Sequence, residues 1–204
     1  MFAGIVEATA HVLTTSEGRG VVRLEIEKPS SFQDVKIGDS ISVNGICLTI
    51  EAFDEKRMQF ALAPETLQVT GWTVSSLEKR RLNIERSLKF SDRIHGHLVS
   101  GHVDAMAEVV SVNPQGEALI VNIQVPQNLK TYFWPKGSIT ISGVSLTINK
   151  VDNGKLEVCL IPETLKQTNL SELKVGDQVT IEIDTLARGM IHWLEQKGAP
   201  NVTP

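Results

Sequence analysis

The chain has 204 residues, a formal net charge of -4, 41% hydrophobic and 22% charged residues. That size accommodates one large domain or two of about 100 residues, and with no basic run the mild acidity gives no reason to expect a nucleic-acid partner. No apolar run approaches the roughly 18 residues of a membrane span, two cysteines are too few for a disulfide framework, and no CxxC or HExxH spacing occurs, so a membrane protein, a disulfide scaffold and a zinc enzyme are all excluded as expectations.

The opening MFAGIVEATAHV lacks the charged start and cleavage pattern of a signal peptide, so a cytoplasmic protein is expected. Gly18-Arg19-Gly20 reads as a hairpin turn rather than a dinucleotide fingerprint. DSISV and CLTIEAF alternate apolar and polar residues, the mark of half-buried strands, and SITIS, SLTINKV and KLEVCLI do so again later in the chain. Pro64 and Pro162 each open a PETL block after a strand. Proline pre-sets φ for a first helical turn, and the following glutamate lies at that turn's positive end. Lys79-Arg80-Arg81 is read as a solvated turn, NPQG at Asn113–Gly116 as another, and DNG at Asp152–Gly154 as a tight hairpin, since Asn and Gly tolerate positive φ. From Thr185, Leu186, Met190, Ile191 and Leu194 recur at helical spacing, and Gly198 ends the pattern. Such an apolar stripe on a terminal helix docks on a neighbour, here in an oligomer.

The chain is internally duplicated. NGICLTI (Asn44–Ile50) returns as SGVSLTI (Ser142–Ile148), with Cys47 and Ser145 98 positions apart, and FALAPETLQVT returns as VCLIPETLKQT at the same offset. FAGIVEATAHV matches VSGHVDAMAEV, and LNIE matches VTIE, at an offset of 97. Four blocks in one order at nearly one offset mean two copies of a whole domain, since the period is far too long for a solenoid. The boundary falls near Lys89–Ile94, giving domains 1–93 and 94–184 and a helical tail 185–204. Many short strands with regular turns predict an all-β fold with a closed barrel in each half. Two positions differ between the copies in a way that bears on chemistry: Cys47 against Ser145, and Ile5 against His102.

These blocks resemble the riboflavin synthase family, alpha-type, built on lumazine-binding repeats. The resemblance is carried by MFAGIVE, NGICLT, GHLVSGHVD (Gly96–Asp104), KGSITISGVSLT (Lys136–Thr147) and the two PETL blocks, and it covers about residues 1 to 190. It implies two similar six-stranded antiparallel Greek-key barrels and a C-terminal helix. It further implies a homotrimer with the active site between subunits, a possible association with lumazine synthase, and no cofactor or metal. The implied reaction is a dismutation: two molecules of 6,7-dimethyl-8-ribityllumazine exchange a four-carbon unit to give riboflavin and 5-amino-6-ribitylaminouracil. Antenna-type relatives that bind lumazine or flavin without catalysis are the alternative.

Under the resemblance, Cys47, His102, Ser145, Thr147 and Asp184 form the expected catalytic set. A thiol needs little stabilisation to become thiolate, so Cys47 is a candidate nucleophile or pocket residue. A histidine titrates near neutrality and suits proton transfer at the acidic C7 methyl, which makes His102 the expected helper of Ser145, with His97 read as structural. Asp184 either assists Ser145 and His102 or caps the following helix. Thr49 and Thr147 share a strand face with Cys47 and Ser145, two residues away. Lys136 is read either as a contact to substrate oxygen or as a turn residue. Gly4, Ile5 and Val6, with Gly101, His102 and Val103, are expected to offer backbone groups to the pyrimidine edge. Leu48 and Leu146 join Cys47 and Ser145 as expected contacts. Ala61, Leu62, Ala63, Pro64, Glu65 and Thr66, with Cys159, Leu160, Ile161, Pro162, Glu163 and Thr164, are expected to form the far walls. The chain departs from the family pattern at Ala3, where threonine is usual, at His95, where glycine is frequent, and over TGWTVSSLEKRRLNIE, which lacks the glycine turn kept in LKVGDQVTIE.

Overall fold

The computed structural model describes residues 1–18, 20–78 and 80–197. The first half contains strands β1 (Ala8–Gly18), β2 (Val21–Glu27), β3 (Ser40–Val43), β4 (Ile46–Phe53), β5 (Arg57–Leu62) and β6 (Arg81–Arg86), with short helices α1 (Pro64–Thr70) and α2 (Val74–Leu77) between the last two. The second half repeats the plan with β7 (Ala105–Gln115), β8 (Ala118–Gln124), β9 (Ser138–Ile141), β10 (Val144–Asp152), β11 (Lys155–Leu160), helix α3 (Pro162–Gln167) and β12 (Gln178–Ile183). Helix α4 (Thr185–Gln196) follows. Each half closes into a six-stranded antiparallel barrel, in the order β1-β2-β5-β4-β3-β6 and its counterpart β7-β8-β11-β10-β9-β12. Closure leaves no free sheet edge. Register shifts recur at matched places, Val12/Thr14 with Val109/Ser111 and Ile50/Ala52 with Ile148/Lys150, so the bulges are part of the duplicated plan.

The local elements follow from the turn chemistry. Asn153 and Gly154 take φ of 46° and 80° and join β10 to β11 in a two-residue hairpin. Gly18 pairs with Val21 across the first hairpin, whose Arg19 lies outside the described residues. The expected NPQG turn sits later than its sequence suggests. Asn113, Pro114 and Gln115 continue β7, and the reversal falls at Gly116-Glu117. Gly71 caps α1 in the left-handed region, and Thr73 opens α2 with a capping box to Ser76. The basic cluster is not simply solvated, for Arg80 lies 6.0 Å over the Trp72 ring and Arg81 reaches the Thr168 carbonyl and Glu172 of the other half, while Lys79 lies outside the described residues. Gly198 lies outside them too.

Alternating residues fill the two cores, among them Leu24, Ile50 and Phe60 in the first and Ile123, Ile148 and Val158 in the second. Four strands break the alternation of burial. On β3, β6, β9 and β12 the polar face is buried as well: Ser42, Asn83, Glu85, Thr140, Thr180 and Glu182 are each at most 4% exposed. Two of these polar residues bond directly to the other half. Asn83 donates to the Ser142 carbonyl (2.8 Å), and its counterpart Thr180 donates to the Asn44 carbonyl (2.7 Å). At the centre of this arrangement Gly45 and Gly143 abut. A methyl on either would lie within 3 Å of the other's backbone nitrogen, and both have φ above 80°. Phe2 and Val99 exchange two backbone hydrogen bonds (2.7 and 3.0 Å), so the segments that precede the two barrels also pair with each other.

Gly45→Ala and Gly143→Ala are expected to destabilise the protein by at least about 2 kcal/mol each in urea unfolding, since they combine a backbone clash with a left-handed φ. Gly38→Ala, at φ of 91° with open space around it, isolates the φ cost alone, about 1 kcal/mol; equal losses at all three positions would deny the close approach its role.

Candidate functional site

Cys47 and Ser145 occupy matched places on β4 and β10, and both face outward from their barrels. Their sequence neighbours Ile46, Leu48, Val144 and Leu146 are buried, whereas Cys47 and Ser145 are half-buried and Thr49 and Thr147 exposed, as pleating requires. Carrying the register Ile50↔Phe60 and Ile148↔Val158 back one residue sets Thr49 beside Ala61 and Thr147 beside Cys159. Ala63, Pro64 and Glu65 are exposed with Thr66 half-buried, and Ile161, Pro162, Glu163 and Thr164 repeat that pattern at the starts of α1 and α3. The side chains of Leu48, Leu62, Leu146 and Leu160 turn the other way, into the barrel cores, because they sit on the inward phase of their strands. They shape the walls from behind rather than line them.

The segments that precede the barrels are exchanged between them. The Gly101 carbonyl, at the head of the second half, accepts from the Cys47 amide of the first (2.8 Å). The Gly4 carbonyl, at the head of the first half, accepts from the Ser145 amide of the second (2.8 Å). Val103 packs on the first core and Val6 on the second. Both contacts demand glycine. A Cβ on Gly101 would lie 2.6 Å from the Cys47 Cβ, one on Gly4 would lie 2.7 Å from the Ser145 Cβ, and φ is 81° and 71°. The Cys47 site therefore carries exposed His102, and the Ser145 site carries Ile5, 43% exposed.

The histidine at Ser145 is thus His97 and not His102. Its Nδ1 lies 2.7 Å from the Ser145 Oγ, and its Nε2 lies 3.2 Å from the Thr140 Oγ1. Thr140 and Ser145 are directly paired on β9 and β10, so one imidazole spans the pair. Gly96 makes the approach possible, since a Cβ there would strike the Ala3 carbonyl and Ser145. Burial pushes His97 below the ordinary histidine range, and the Asp184 carboxylate pulls it part of the way back. A neutral imidazole with its hydrogen on Nε2 leaves Nδ1 free to accept from the Ser145 hydroxyl, which is the arrangement that activates a hydroxyl or orients a water. Asp184 is also the N-cap of α4, accepting from the Leu186 amide at 2.8 Å, which is the second of its two expected roles. Lys136 is exposed in a left-handed turn residue (φ 70°), its amide donating to the Ile148 carbonyl at 2.7 Å.

Two buried carboxylates hold the exchanged segments. Glu182 accepts from the Ser100 amide (2.7 Å), the Ser100 hydroxyl (2.7 Å) and the Gly101 amide (2.9 Å). Glu85, its match on β6, accepts from the Ala3 amide (2.7 Å). Burial raises both above the ordinary glutamate range, Glu85 to about 7. Sequence reasoning passed over both. They stand in the repeated blocks LNIE and VTIE, where a charged residue in an alternating strand reads as facing water.

The Lumazine binding domain family model matches residues 3–87 and 100–184. The riboflavin synthases of Photobacterium phosphoreum (37% identical over 92% of this chain and 86% of theirs), Bacillus subtilis (35%, over 96% and 91%) and Escherichia coli (36%, over 96% and 92%) are similar to this chain. Among solved structures, LumP complexed with riboflavin superposes with a TM-score of 0.82 at 24% identity, covering 90% of this chain and 99% of that one, which bears on the fold.

A histidine whose folded pKa lies below its unfolded value binds fewer protons when folded, so stability falls as pH drops through about 6.5. His97→Gln is expected to flatten that acid limb between pH 7.5 and 5.5 by up to about 1 kcal/mol in denaturant titrations. An unchanged limb would place the imidazole in solvent.

Proposed function

The chain belongs to the lumazine-binding domain family, and on that premise we propose that it is a riboflavin synthase, converting two molecules of 6,7-dimethyl-8-ribityllumazine into riboflavin and 5-amino-6-ribitylaminouracil. The observation that carries this reading is the reciprocal exchange of the Gly4 and Gly101 segments. It builds two outward sites on one scaffold, suited to two copies of one substrate, and gives them different reactive groups, as donor and acceptor require.

In this reading Thr49, Ala61, Ala63 and Thr66 line one pocket with Cys47, His102 and Val103. Thr147, Cys159, Ile161 and Thr164 line the other with Ser145, Ile5, Val6 and Lys136. One lumazine loses a proton from its C7 methyl and the partner is attacked at C7. His102 is the group placed to move a proton at the Cys47 site, while Ser145 with neutral His97 supplies or orients the attacking oxygen at the other. Amides and carbonyls of the glycine segments suit the pyrimidine edge. Asp184 acts on the Ser145 site through His97. Barrels 1–93 and 94–184 are the two binding units, and 185–204 the assembly segment.

The same reading makes the protein a cytoplasmic homotrimer, with association with lumazine synthase as a further partner. What supports assembly is α4. Leu186, Met190 and Trp193 are 63%, 67% and 59% exposed along one stripe. Asp104 anchors the helix through two bonds to Arg188 (2.6 and 2.7 Å), and Ala187 is its buried contact. A stripe of that extent on an anchored helix fits burial against other copies.

The purified protein is expected to turn ribityllumazine into riboflavin with no added cofactor; stable lumazine fluorescence without flavin would instead identify an antenna-type binding protein. His102→Ala and Cys47→Ser are expected to lower kcat about 100-fold while changing ligand affinity far less, and unaltered turnover in both would remove them from the chemistry. For assembly, light scattering is expected to give three chains per particle, and Met190→Glu with Trp193→Glu to yield monomer.

A further inference from the structure

The duplication supplies an internal control for each of its own parts, and one part fails the comparison. Glu182 and Glu85 hold matched segments, Ser100-Gly101 and Ala3-Gly4, against the other barrel. Glu182 receives three donors, one of them the Ser100 hydroxyl. At the matched position the first half has Ala3, which has no hydroxyl to offer. The consequence is visible at Glu85. Its Oε1 accepts from the Ala3 amide, but its Oε2 is buried with no hydrogen-bond partner among the described residues, in a side chain whose residue is 4% exposed. The amides of Gly4 and Ile5 also favour its charge, without reaching hydrogen-bond geometry with that oxygen. A buried oxygen left without a donor is costly, and most costly when charged.

We propose that Glu85 is a positioning residue for the Ser145 site: its carboxyl group clamps the Ala3–Ile5 segment against β10, and for want of a hydroxyl at residue 3 this clamp is loosened when the carboxyl ionises, whereas its counterpart at the Cys47 site has the Ser100 hydroxyl to hold the charge. The inference rests on the reading of these sites as lumazine pockets. The neutral acid is buried behind the segment at little cost, whereas ionisation leaves Oε2 charged and without a donor, a cost relieved when the segment lifts and water reaches the carboxylate. Ionisation therefore loosens Gly4, whose carbonyl holds the Ser145 amide, and Ile5, which faces that site. Glu85 borders a groove of about 960 Å³ through which protons reach it. Its charged surroundings are Glu7 just before β1, Asp34, Lys36 and Asp39 before β3, Arg86 beside it, and Lys89, Asp92, Arg93 and His95 in the linker. Glu7 opposes its ionisation, while Arg86 is engaged by Glu7 and Asp34, and Lys89 by Asp34.

The test is the pH dependence of amide hydrogen exchange at Ala3–Ile5, beside the pH dependence of KM. With the exchange rate normalised for intrinsic chemistry, protection at Ala3–Ile5 is expected to fall and KM to rise as pH climbs toward an inflection near neutral pH, while Ser100-Gly101 shows neither. Ala3→Ser supplies the missing donor and is expected to move the inflection about one pH unit toward acid, the effect of one added hydrogen bond to the charged form. Glu85→Gln, a mimic of the neutral acid, is expected to abolish the inflection and leave the segment held at every pH. Ser100→Ala is expected to create the same inflection at Ser100-Gly101. An inflection that survives Glu85→Gln, or that ignores Ala3→Ser, overturns the proposal. The exchange measurement needs no substrate, so a chain that makes no riboflavin yet shows these shifts would refute the synthase reading and leave the clamp intact.

Discussion

The two hydrogen bonds from Cys47 to Gly101 and from Ser145 to Gly4 are the constraint on which the rest of the structure depends. Each takes a segment that precedes one barrel and lays it against the outer face of the other. Neither barrel then completes its own site. Three features follow from that exchange: glycine at both crossing points, burial of the polar faces of β3, β6, β9 and β12, and a carboxylate behind each segment to receive its amides. Gly45 and Gly143 allow the two halves to approach closely enough for both exchanges to happen at once.

The exchange also explains how a duplicated chain comes to have unlike sites. Scaffold positions are constrained twice over, since each glycine and each outward strand residue serves the same geometry in both halves. The reactive positions are free to diverge. His102 belongs in sequence to the second barrel but accompanies the thiol of the first, and Ile5 makes the opposite crossing. His97, from the linker, adds an imidazole to the hydroxyl site, where burial keeps it neutral and able to accept. In the proposed reading, changing the groups at these positions while keeping the frame lets two sites hold one ligand and treat it differently.

Much of this was legible in the sequence. Alternation located the strands, the offset of 97 to 98 exposed the duplication, and the pleat placed Thr49 with Cys47 and Thr147 with Ser145. Turn chemistry was less dependable: Pro114 was read as part of a turn, yet it continues β7, because a proline needs only that its missing N–H face away from the ladder. Burial of Leu48, Leu62, Leu146 and Leu160 follows from the same alternation once the outward face is known. The pairing of Ser145 with His97, 48 residues away, was not legible, nor were the glutamates of LNIE and VTIE, whose alternation looks like that of any strand with one wet face.

What the sequence by itself determined was local and periodic: strands, turns, two copies of one domain, and a terminal helix with an apolar stripe. Those signals are written in neighbouring side chains and survive without a partner. Only the tertiary structure decided which half completes which site. A polar residue on the outer phase of a strand reads the same whether it meets water or another barrel, and a segment that crosses to the other half carries no mark of its destination in its own residues. That is why Glu85, Glu182 and His97 emerged from the packing, and why the missing hydroxyl at Ala3 acquired a meaning only beside Ser100.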